Sequence, residues 1–225
     1  MTSTYIIGDI HHEIKKLPNH SIDLCYTNPP FSTTQKDWDT PLRWEELFKE
    51  LDRVLKPNGV ILLHTAIPFT YDLIRIRKPN YNYVWVKTNP TNFFQAKKQP
   101  LRQVEEILVY YKLNHTYNPQ MEGEQIINYA RNNTYENNQY YGNQKPNKSI
   151  QKGKYPTNFL GTFKRIIQKN SPKSIHKEII IKMIKTYSNE NDTILDMTCC
   201  DKGVGNISCE LKRNYIGIDI SDKYL

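Results

Sequence analysis

The feature that most constrains the fold is the alternation of short apolar runs with longer segments of helical periodicity. Apolar runs of about five residues predict buried strands, whereas the spacing of apolar residues from Trp44 to Leu55 predicts a helix, with Thr40 and Pro41 at its start. Strands separated by helices form parallel sheets, because a parallel connection requires a crossover. We therefore predict an α/β fold with a mostly parallel seven-stranded sheet. The predicted strands are residues 5–9, 22–27, 60–65, 83–87, 107–112, 193–197 and 215–220.

The composition favours a polyanionic partner. The 225 residues include 31 Lys and Arg against 23 Asp and Glu, a net charge of +8, and such an excess attracts nucleic acids. No apolar run approaches the ~20 residues that span a bilayer, so we expect no membrane segment. The N-terminal stretch MTSTYIIGDIHH lacks the basic flank and long apolar run of a signal peptide. We therefore expect a cytoplasmic protein.

The cysteines and histidines are not spaced as metal ligands. Neither the six histidines nor the four cysteines form paired ligand motifs, and the adjacent Cys199 and Cys200 make a poor disulfide framework. We expect reduced thiols and no metal site.

The segment 113–158 differs in composition from the rest of the chain. It is rich in Asn, Gln, Tyr and Lys and poor in branched aliphatic residues, as in NYARNNTYENNQYYGNQKPNKS. Such a segment adds little to a core and is either a mobile loop or a recognition element built on the sheet. Its tyrosines, interleaved with Lys and Arg, offer stacking faces together with phosphate contacts. We predict one domain, residues 1–225, into which this segment is inserted.

A rigid hook, YTNPPFS (residues 26–32), directly follows the second predicted strand. In an open parallel sheet, ligands bind beyond the carboxyl ends of the strands. Two prolines fix the backbone there, so the side-chain carbonyl of Asn28 and the carbonyl of Pro29 can act as converging acceptors beside the Phe31 ring. That set suits a planar group with an amino donor, such as an extruded base. The alternative is an ordinary strand-ending turn, since Asn and Pro are common turn residues.

YTNPPFS resembles the catalytic motif of the amino-group DNA methyltransferases, in which Asp, Asn or Ser precedes Pro-Pro and Tyr or Phe. The stretches KDWDTPLRWEELFKELDRVLKPNGVILLHTAIPFTYDLI and WVKTNPTNFFQAKKQPLRQVEEILVYY resemble small phage and prophage enzymes of this type. The C-terminal DTILDMTCCDKGVGNISCELKRNYIGIDIS resembles their S-adenosylmethionine-binding part. The catalytic motif precedes the cofactor-binding part along the chain. This order of motifs is that of the circularly permuted β group of these enzymes, which methylates adenine N6 or cytosine N4. The resemblance implies a Rossmann-like methyltransferase fold and DNA methylation of the restriction-modification kind.

The resemblance also implies a role for each residue of the hook. Asn28 and the Pro29 carbonyl would accept hydrogen bonds from the target amino group, Pro30 would support them, and Phe31 would stack on the flipped base. Asn at the first position favours adenine over cytosine, although the small phage-type enzymes usually carry Asp there. Methylation of RNA or protein is a weaker alternative, because Asn-Pro-Pro-Tyr hooks also serve such enzymes.

For S-adenosylmethionine, the resemblance implies acidic residues at strand ends. Asp219 would bind the ribose hydroxyls, Asp9 would lie near the adenine ring, and Asp196 ends the strand that leads into the cofactor loop. Carboxylates also suit a sulfonium cation. The remaining predicted cofactor residues are Thr198, Gly203, Gly205 and Pro172.

Two segments depart from the family pattern. Cys200-Asp201-Lys202 stands where Gly-Ser-Gly is usual, and of the His-Pro-Thr-Gln-Lys-Pro segment only Pro172 is kept, within residues 171–176. Glycine allows positive φ and close approach of the backbone to a ligand, which Cys and Lys do not readily allow. The sequence therefore leaves an alternative open: a catalytically impaired, DNA-binding or regulatory homologue.

Basic residues near the predicted active face indicate double-stranded DNA as the partner. Lys36 follows the hook, and AKKQPLR supplies Lys97, Lys98 and Arg102. Positive side chains there neutralise backbone phosphates, although each is also an ordinary surface residue. The sequence leaves open whether the chain forms a homo- or hetero-oligomer.

Overall fold

The computed structural model describes residues 1–112, 114–131, 135–138, 142–144, 147–164 and 175–223. The chain divides into a larger unit, Met1–Asn118 with Asn158–Leu225, and a smaller unit, Pro119–Thr157. The helices are α1 Ile10–Glu13, α2 Trp44–Val54, α3 Phe69–Ile76, α4 Lys177–Tyr187 and α5 Gly203–Glu210. The strands are β1 Ser3–Ile7, β2 Ile22–Thr27, β3 Leu55–Thr65, β4 Tyr81–Thr91, β5 Arg102–Tyr111, β6 Glu122–Arg131, β7 Tyr135–Asn138, β8 Gly142–Gln144, β9 Asn147–Lys154, β10 Phe159–Phe163, β11 Thr193–Asp196 and β12 Asn214–Asp219.

The larger unit is built on an eight-stranded sheet in the order β1-β12-β11-β2-β3-β5-β4-β10. Strand β5 runs antiparallel to β3 and β4, and the other neighbouring strands are parallel. The predicted mostly parallel α/β sheet is confirmed, and all seven predicted strands are present; residues 22–27 form a strand with the predicted ends, and the ends of the other six are shifted. The predicted number of strands is corrected to eight, because β10 was missed. It has only three apolar residues, and Gly161 interrupts it with a φ of +121°.

Alternate residues of the central strands bury on opposite faces of the sheet. On β3, Ile61 and Leu63 pack into the cluster that contains α2, whereas Val60 and Leu62 pack into the cluster that contains α4 and α5. This period of two, with both faces covered by helices, produces the layered α/β arrangement.

Helix α2 begins later than its sequence suggests. Arg43 occupies the N-cap position and makes no side-chain capping bond, so Thr40 is not the cap and Pro41 is not in the first turn. The helix buries Trp44 and the other apolar residues of its predicted face, while Leu55 already belongs to β3.

The smaller unit contains two antiparallel strand pairs, β6 with β9 and β7 with β8. Its bounds are narrower than the predicted segment 113–158. Residues 114–118 belong to the larger unit, where the backbone N–H of Asn118 donates to the carbonyl of Thr186. Within the described part of the chain, no helix combines the length and apolar character needed to cross a membrane.

Candidate active site

A cavity of about 810 Å³ in the larger unit lies outside the carboxyl ends of the parallel strands. The residues that follow β1, β2, β11 and β12 form one side of it, and the segment 36–43 forms the other. Among the residues predicted to form the site, it brings together Asp9, Asn28, Pro30, Lys36, Thr198 and Asp219.

The hook leaves the buried end of β2 and is held against the loop that follows β11. Thr27 Oγ1 lies 2.9 Å from Thr198 Oγ1, which ties the two strand ends together. Asn28 is half-buried at the cavity wall, whereas Pro29 is buried behind it. The hook therefore presents its first residue to the cavity from a fixed backbone.

Phe31 packs beside the cavity and is not one of its lining residues. Its ring stacks on Phe69 at 5.2 Å between centroids, with 21° between the planes. The ring is half-buried against the apolar cluster that includes α2. Its packing thus anchors the end of the hook to the core.

Asp39 organises the segment after the hook, and no local pattern distinguishes it from Asp37. It is only 6% exposed. Its Oδ1 accepts the N–H of Ser32 at 2.8 Å, and its Oδ2 accepts the N–H of Thr33 at 2.9 Å and both the N–H and the hydroxyl of Thr34 at 2.7 and 2.8 Å.

These bonds stabilise the ionised carboxylate of Asp39. Burial by itself raises the pKa of Asp39, but the bonds from the Thr34 hydroxyl and from the three amides outweigh it and hold the pKa below its usual range. Ser32, at a φ of +53°, is thereby held in a left-handed turn. Asp39 fixes the path that leads from Phe31 to the cavity wall.

Two carboxylates meet at the cavity from different strand ends. Asp9 follows β1 and caps α1, where its Oδ1 accepts the N–H of His11 at 2.8 Å. Asp219 ends β12; its Oδ2 accepts the N–H of Cys200 at 2.8 Å and its Oδ1 that of Ser221 at 3.1 Å. The two segments are joined by a bond from Gly8 N–H to the Asp219 carbonyl.

Asp196 lies behind the cavity wall and does not line it. It is 2% exposed and accepts hydrogen bonds from Thr198 N–H at 3.3 Å and Tyr215 Oη at 3.4 Å. Burial, helped by the charges of Asp219 and Asp201, raises the pKa of Asp196 to about 7. Its carboxyl group therefore supports the loop after β11 from within the core.

The loop after β11 keeps a left-handed residue where the family usually has glycine. Cys200 lines the cavity at a φ of +48°. Gly203 and Gly205 lie in α5 and do not line the cavity. Gly205 gives α5 room to pack against Tyr5 and Tyr215.

Lys202, which replaces the second glycine of the family pattern, does not line the cavity. Its ammonium group lies 5.7 Å from the centroid of the Tyr5 ring. Pro172 lies outside the described residues.

His11 is a cavity residue that the sequence did not single out. It is buried, and its Nε2 accepts the backbone N–H of Arg43 at 3.3 Å. Burial and then the positive charge of Arg43 lower the pKa of His11, which keeps the ring neutral at pH 7. His11 therefore joins the two sides of the cavity, α1 and the segment 36–43, without adding charge.

The predicted DNA-binding residues fall in two places. Lys36 is exposed at the cavity, whereas Lys97 and Lys98 lie on the turn between β4 and β5, and Arg102 begins β5 directly after it. Since β4 is parallel to β2, this turn leaves the sheet at the same edge as the hook. All four side chains therefore belong to the edge that carries the cavity.

An open, mostly parallel sheet with a ligand-sized cavity outside the carboxyl ends of its strands defines a Rossmann-like α/β protein. Solved DNA methyltransferases share this fold. The M1.HpyAVI–SAM complex matches with a TM-score of 0.64 at 18% identity, covering 99% of this chain and 95% of that one. The cytosine-N4-specific PvuII DNA methyltransferase matches with a TM-score of 0.69 at 14% identity, covering 100% and 84%.

The chain belongs to the DNA methylase family of N6 and N4 methyltransferases, whose family model matches residues 22–225. The DNA adenine methyltransferase YhdJ of Escherichia coli is 26% identical over 99% of this chain and 80% of its own length. The Type II methyltransferase M.HinfI of Haemophilus influenzae is 24% identical over 99% of this chain and 66% of its own. The predicted family is thus confirmed, and its cofactor is S-adenosylmethionine; the resemblance to the small phage and prophage enzymes in particular stays a prediction.

The cavity fits S-adenosylmethionine in size and charge. Small-molecule sites commonly have volumes of about 300–1,000 Å³, and this one lies within that range. Its lining carries three carboxylates, Asp9, Asp37 and Asp219, and three basic side chains, Lys36, Arg43 and Lys223. A cation is therefore favoured beside the strand-end carboxylates Asp9 and Asp219, and not across the whole cavity.

Proposed function

We propose that this member of the DNA methylase family transfers a methyl group from S-adenosylmethionine to the exocyclic amino group of an adenine extruded from double-stranded DNA. The observation that carries the proposal is that Asn28 of the hook shares one cavity with Asp9 and Asp219. Acceptors for an amino group and carboxylates suited to a cationic cofactor then meet in a single site. The adenine specificity of the Escherichia coli relative supports the choice of base.

Asn28 and Pro29 would hold the target amino group. Their carbonyl oxygens would accept hydrogen bonds from its two N–H groups, which would leave the nitrogen lone pair free to attack the methyl group that S-adenosylmethionine supplies when bound. The N–C bond would form as the S–C bond breaks, and the amino group would then release one proton to water. The two prolines restrict the backbone, so this geometry is present before the base arrives. The half-buried position of Asn28 reduces competition from water.

Phe31 would act through its position at the end of the hook. Because its ring is stacked on Phe69, the end of the hook is anchored to the core, and Asn28 is held in place at the cavity wall.

Asp219 would bind the ribose hydroxyls of the cofactor, and Asp9 would bind near its adenine ring. Both already orient backbone N–H groups, Asp219 that of Cys200 and Asp9 that of His11. Each carboxylate has more than one acceptor lone pair on each oxygen, so it can keep these bonds while it accepts a ligand hydroxyl. Thr198, tied to the end of β2 through Thr27, would complete the wall between the hook and the cofactor.

Lys36 would contact the DNA backbone close to the flipped base, and the smaller unit, residues 119–157, would supply sequence recognition. The support for these roles is charge and composition: Lys36 is exposed at the cavity, and the smaller unit lies in the segment rich in Tyr, Asn and Lys. Sequencing of DNA from expressing cells identifies the modified base. Modification without a fixed sequence context would contradict a recognition role.

A second candidate is an impaired homologue that binds DNA but methylates poorly. The observation that favours it is the positive φ of Cys200, because a side chain there occupies space that glycine would leave to the ligand. Calorimetric titration with S-adenosylmethionine separates the two candidates. Absence of binding at millimolar concentrations would favour the impaired homologue.

For the active enzyme, Asn28→Ala tests the hook directly. We expect transfer of the labelled methyl group into DNA to fall by about 10²-fold or more, as when one preorganised transition-state hydrogen bond is removed. Cofactor affinity should stay within about twofold of wild type, since the cofactor carboxylates are untouched. Asn206→Ala, on the exposed face of α5, is the matched control and should change neither quantity. Equal loss of transfer and of cofactor binding in Asn28→Ala would mean that the hook is only structural.

A further inference from the structure

Strands β4 and β5 extend past β3 and, beyond Lys87, also past β10, and they form an arm, residues 86–104. Strand β3 ends at Thr65, which pairs with Glu106, while β5 continues back to Arg102 and pairs there with Thr91 of β4. Thr27, at the base of the hook, pairs with Leu63 of β3, and Leu63 pairs with Leu108 of β5. Leu108 therefore marks the position of the hook along β5. Arg102 lies six residues beyond that position, which is about 20 Å at the rise of an antiparallel strand.

The arm is braced by internal bonds. At its base, the buried Lys87 Nζ lies 2.6 Å from Glu105 Oε1 and 3.3 Å from Thr91 Oγ1. Higher up, the hydroxyl of Thr91 donates to the carbonyl of Arg102, and the side chain of Gln103 donates to the carbonyl of Lys87. These cross-strand bonds hold β4 and β5 together. Beyond Lys87, the last residue of β4 that pairs with β10, no third strand among the described residues pairs with them.

The tip of the arm presents two aromatic rings to solvent. Asn92 turns the chain with a φ of +73°, and a short 3₁₀ turn, Phe93–Gln95, follows it. The turn is closed by bonds from Gln95 N–H to Asn92 O and from Ala96 N–H to Phe93 O, each 3.0 Å. Phe93 is 62% exposed and Phe94 is 103% exposed. Leaving a Phe ring in water forfeits about 1.5–3 kcal/mol of burial free energy, so folding gives no reason for this pair.

The surroundings of the rings are positively charged. Residues 88–104 contain no Asp or Glu, but they contain Lys97, Lys98 and Arg102. Lys97 and Lys98 are exposed within five residues of the rings. Two aromatic rings with basic side chains and no acidic ones match a nucleic acid, which offers stacked bases and phosphates together.

The arm stands at the edge of the sheet that carries the hook. Strands β2 and β4 are parallel and are separated by β3 and β5, so their carboxyl ends are about 14 Å apart across the sheet. The arm and the cavity therefore lie at the same edge of the sheet. A duplex whose target base enters the cavity would be bound at this edge, where the rings of the arm are exposed.

We propose that Phe94, with Phe93, stacks on DNA bases next to the extruded nucleotide, and that Lys97 and Lys98 contact the adjacent phosphates. Extrusion leaves unstacked faces in the duplex, and apolar side chains that enter such a gap offset the cost of unstacking. This inference rests on the proposed function for its choice of duplex DNA. It adds a surface outside the cavity that stabilises the opened form of the substrate.

The test is DNA binding without cofactor or methyl transfer. The probes are two short fluorescent duplexes of one mixed sequence, one fully paired and one with a single mismatched adenine, which is cheaper to extrude. We expect Phe94→Ala to weaken binding to the mismatched duplex by about 5- to 150-fold, the equivalent of one lost base stack. Phe94→Trp should retain the affinity. Tyr81→Ala removes an aromatic residue that is 48% exposed at the opposite end of β4 and should have no effect.

The salt dependence of DNA affinity separates the contribution of the aromatic rings from that of the lysine charges. Lys97→Gln with Lys98→Gln should lower the slope of log affinity against log salt by about two, whereas Phe94→Ala should leave it unchanged. Wild-type affinity of Phe94→Ala for the mismatched duplex would overturn the inference, as would absence of DNA binding by the wild-type chain. A change of sedimentation from dimer to monomer in Phe94→Ala would also overturn it, because the rings would then serve a second copy of the chain.

These outcomes are independent of methyl transfer. Loss of DNA affinity in Phe94→Ala together with no methylation by the wild-type chain would remove the proposed enzymatic function and keep the arm as a DNA-binding surface. Methylation by the wild-type chain with unchanged DNA affinity in Phe94→Ala would support the proposed enzymatic function and overturn the role of the arm.

Discussion

Replacement of Asp39 by Ala removes one buried carboxylate that satisfies four hydrogen-bond donors. The donors are three consecutive amides, Ser32 to Thr34, and the Thr34 hydroxyl. No other part of the described cavity wall depends on so many bonds to one side chain. The substitution therefore isolates the contribution of this segment to the site.

The magnitude follows from the number and exposure of these donors. A hydrogen bond to a charged group contributes about 1.5–3 kcal/mol, and a donor left unsatisfied in the interior costs about 1–3 kcal/mol. Ser32, Thr33 and Thr34 are exposed residues, so water replaces much of what the Ala variant loses. We expect Asp39→Ala to lower the free energy of unfolding by about 2–4 kcal/mol. Asp39→Asn keeps one acceptor oxygen and should lose about half as much.

The lowered pKa of Asp39 adds a pH dependence with a definite sign. Because the folded carboxyl ionises below its unfolded value, its stabilisation is complete above about pH 4 and is lost as the pH falls through the folded pKa. The difference between wild type and Asp39→Ala should therefore be constant at neutral pH and shrink in acid.

Two measurements test this reasoning. Urea unfolding gives the change in stability, and amide hydrogen exchange followed by mass spectrometry reports on the segment itself. We expect the amides of Ser32 to Thr34 to be protected in wild type and to exchange at least about tenfold faster in Asp39→Ala, in line with the lost free energy. Methyl transfer should fall with them, because the segment leads into the cavity wall.

Asp37→Ala is the matched control. Asp37 is an exposed carboxylate two positions away, and among the described residues it has no hydrogen bond or ion pair. Its removal should change stability by less than about 0.5 kcal/mol. Equal losses of stability in Asp37→Ala and Asp39→Ala, or unchanged hydrogen exchange of the three amides in Asp39→Ala, would refute the role assigned to Asp39.

Two further predictions concern the loop after β11. Cys200→Gly should raise the free energy of unfolding by about 1 kcal/mol, because Cys200 has a φ of +48° and a side chain is strained there. Lys212→Gly is the control, because Lys212 has a φ of +63° and its replacement should raise the free energy of unfolding by a similar amount. Calorimetry should show tighter S-adenosylmethionine binding only for Cys200→Gly. Asp196 has its pKa raised to about 7, so the folded state keeps a proton that the unfolded state releases near pH 4. Stability measured by urea unfolding should therefore fall from about pH 4 to pH 7 and level off above, and Asp196→Asn should flatten that decline; an unaltered pH profile would place the titration elsewhere.

Local patterns in the sequence were sufficient for most of the fold. Runs such as ILLHT and the alternation of strands with helices predict a parallel sheet, because burial on both faces leaves a continuous apolar signal. The strand β10 was missed because it is short and carries Gly161 within it. Its place in the sheet comes from pairing with β4, a contact between residues more than seventy positions apart along the chain.

The start of α2 was also misplaced. Thr40 and Pro41 have the chemistry of a helix start, yet both form part of the cavity wall and the helix begins at Trp44. Propensity at a helix end is a weak signal, and tertiary contacts commonly override it.

The sequence by itself determined the chemistry that this protein carries: a hook of Asn28 to Phe31 after a buried strand, carboxylates at strand ends, and an excess of positive charge. Only the tertiary structure decided how these parts are used. In the folded chain, Asp9, Asn28 and Asp219 line one cavity, and Asp196 is buried in the core. Asp39, and not Asp37, accepts the hydrogen bonds that hold the loop. The reason is physical: strand and helix preferences are local, whereas burial and hydrogen-bond partners depend on residues that meet only when the sheet has formed.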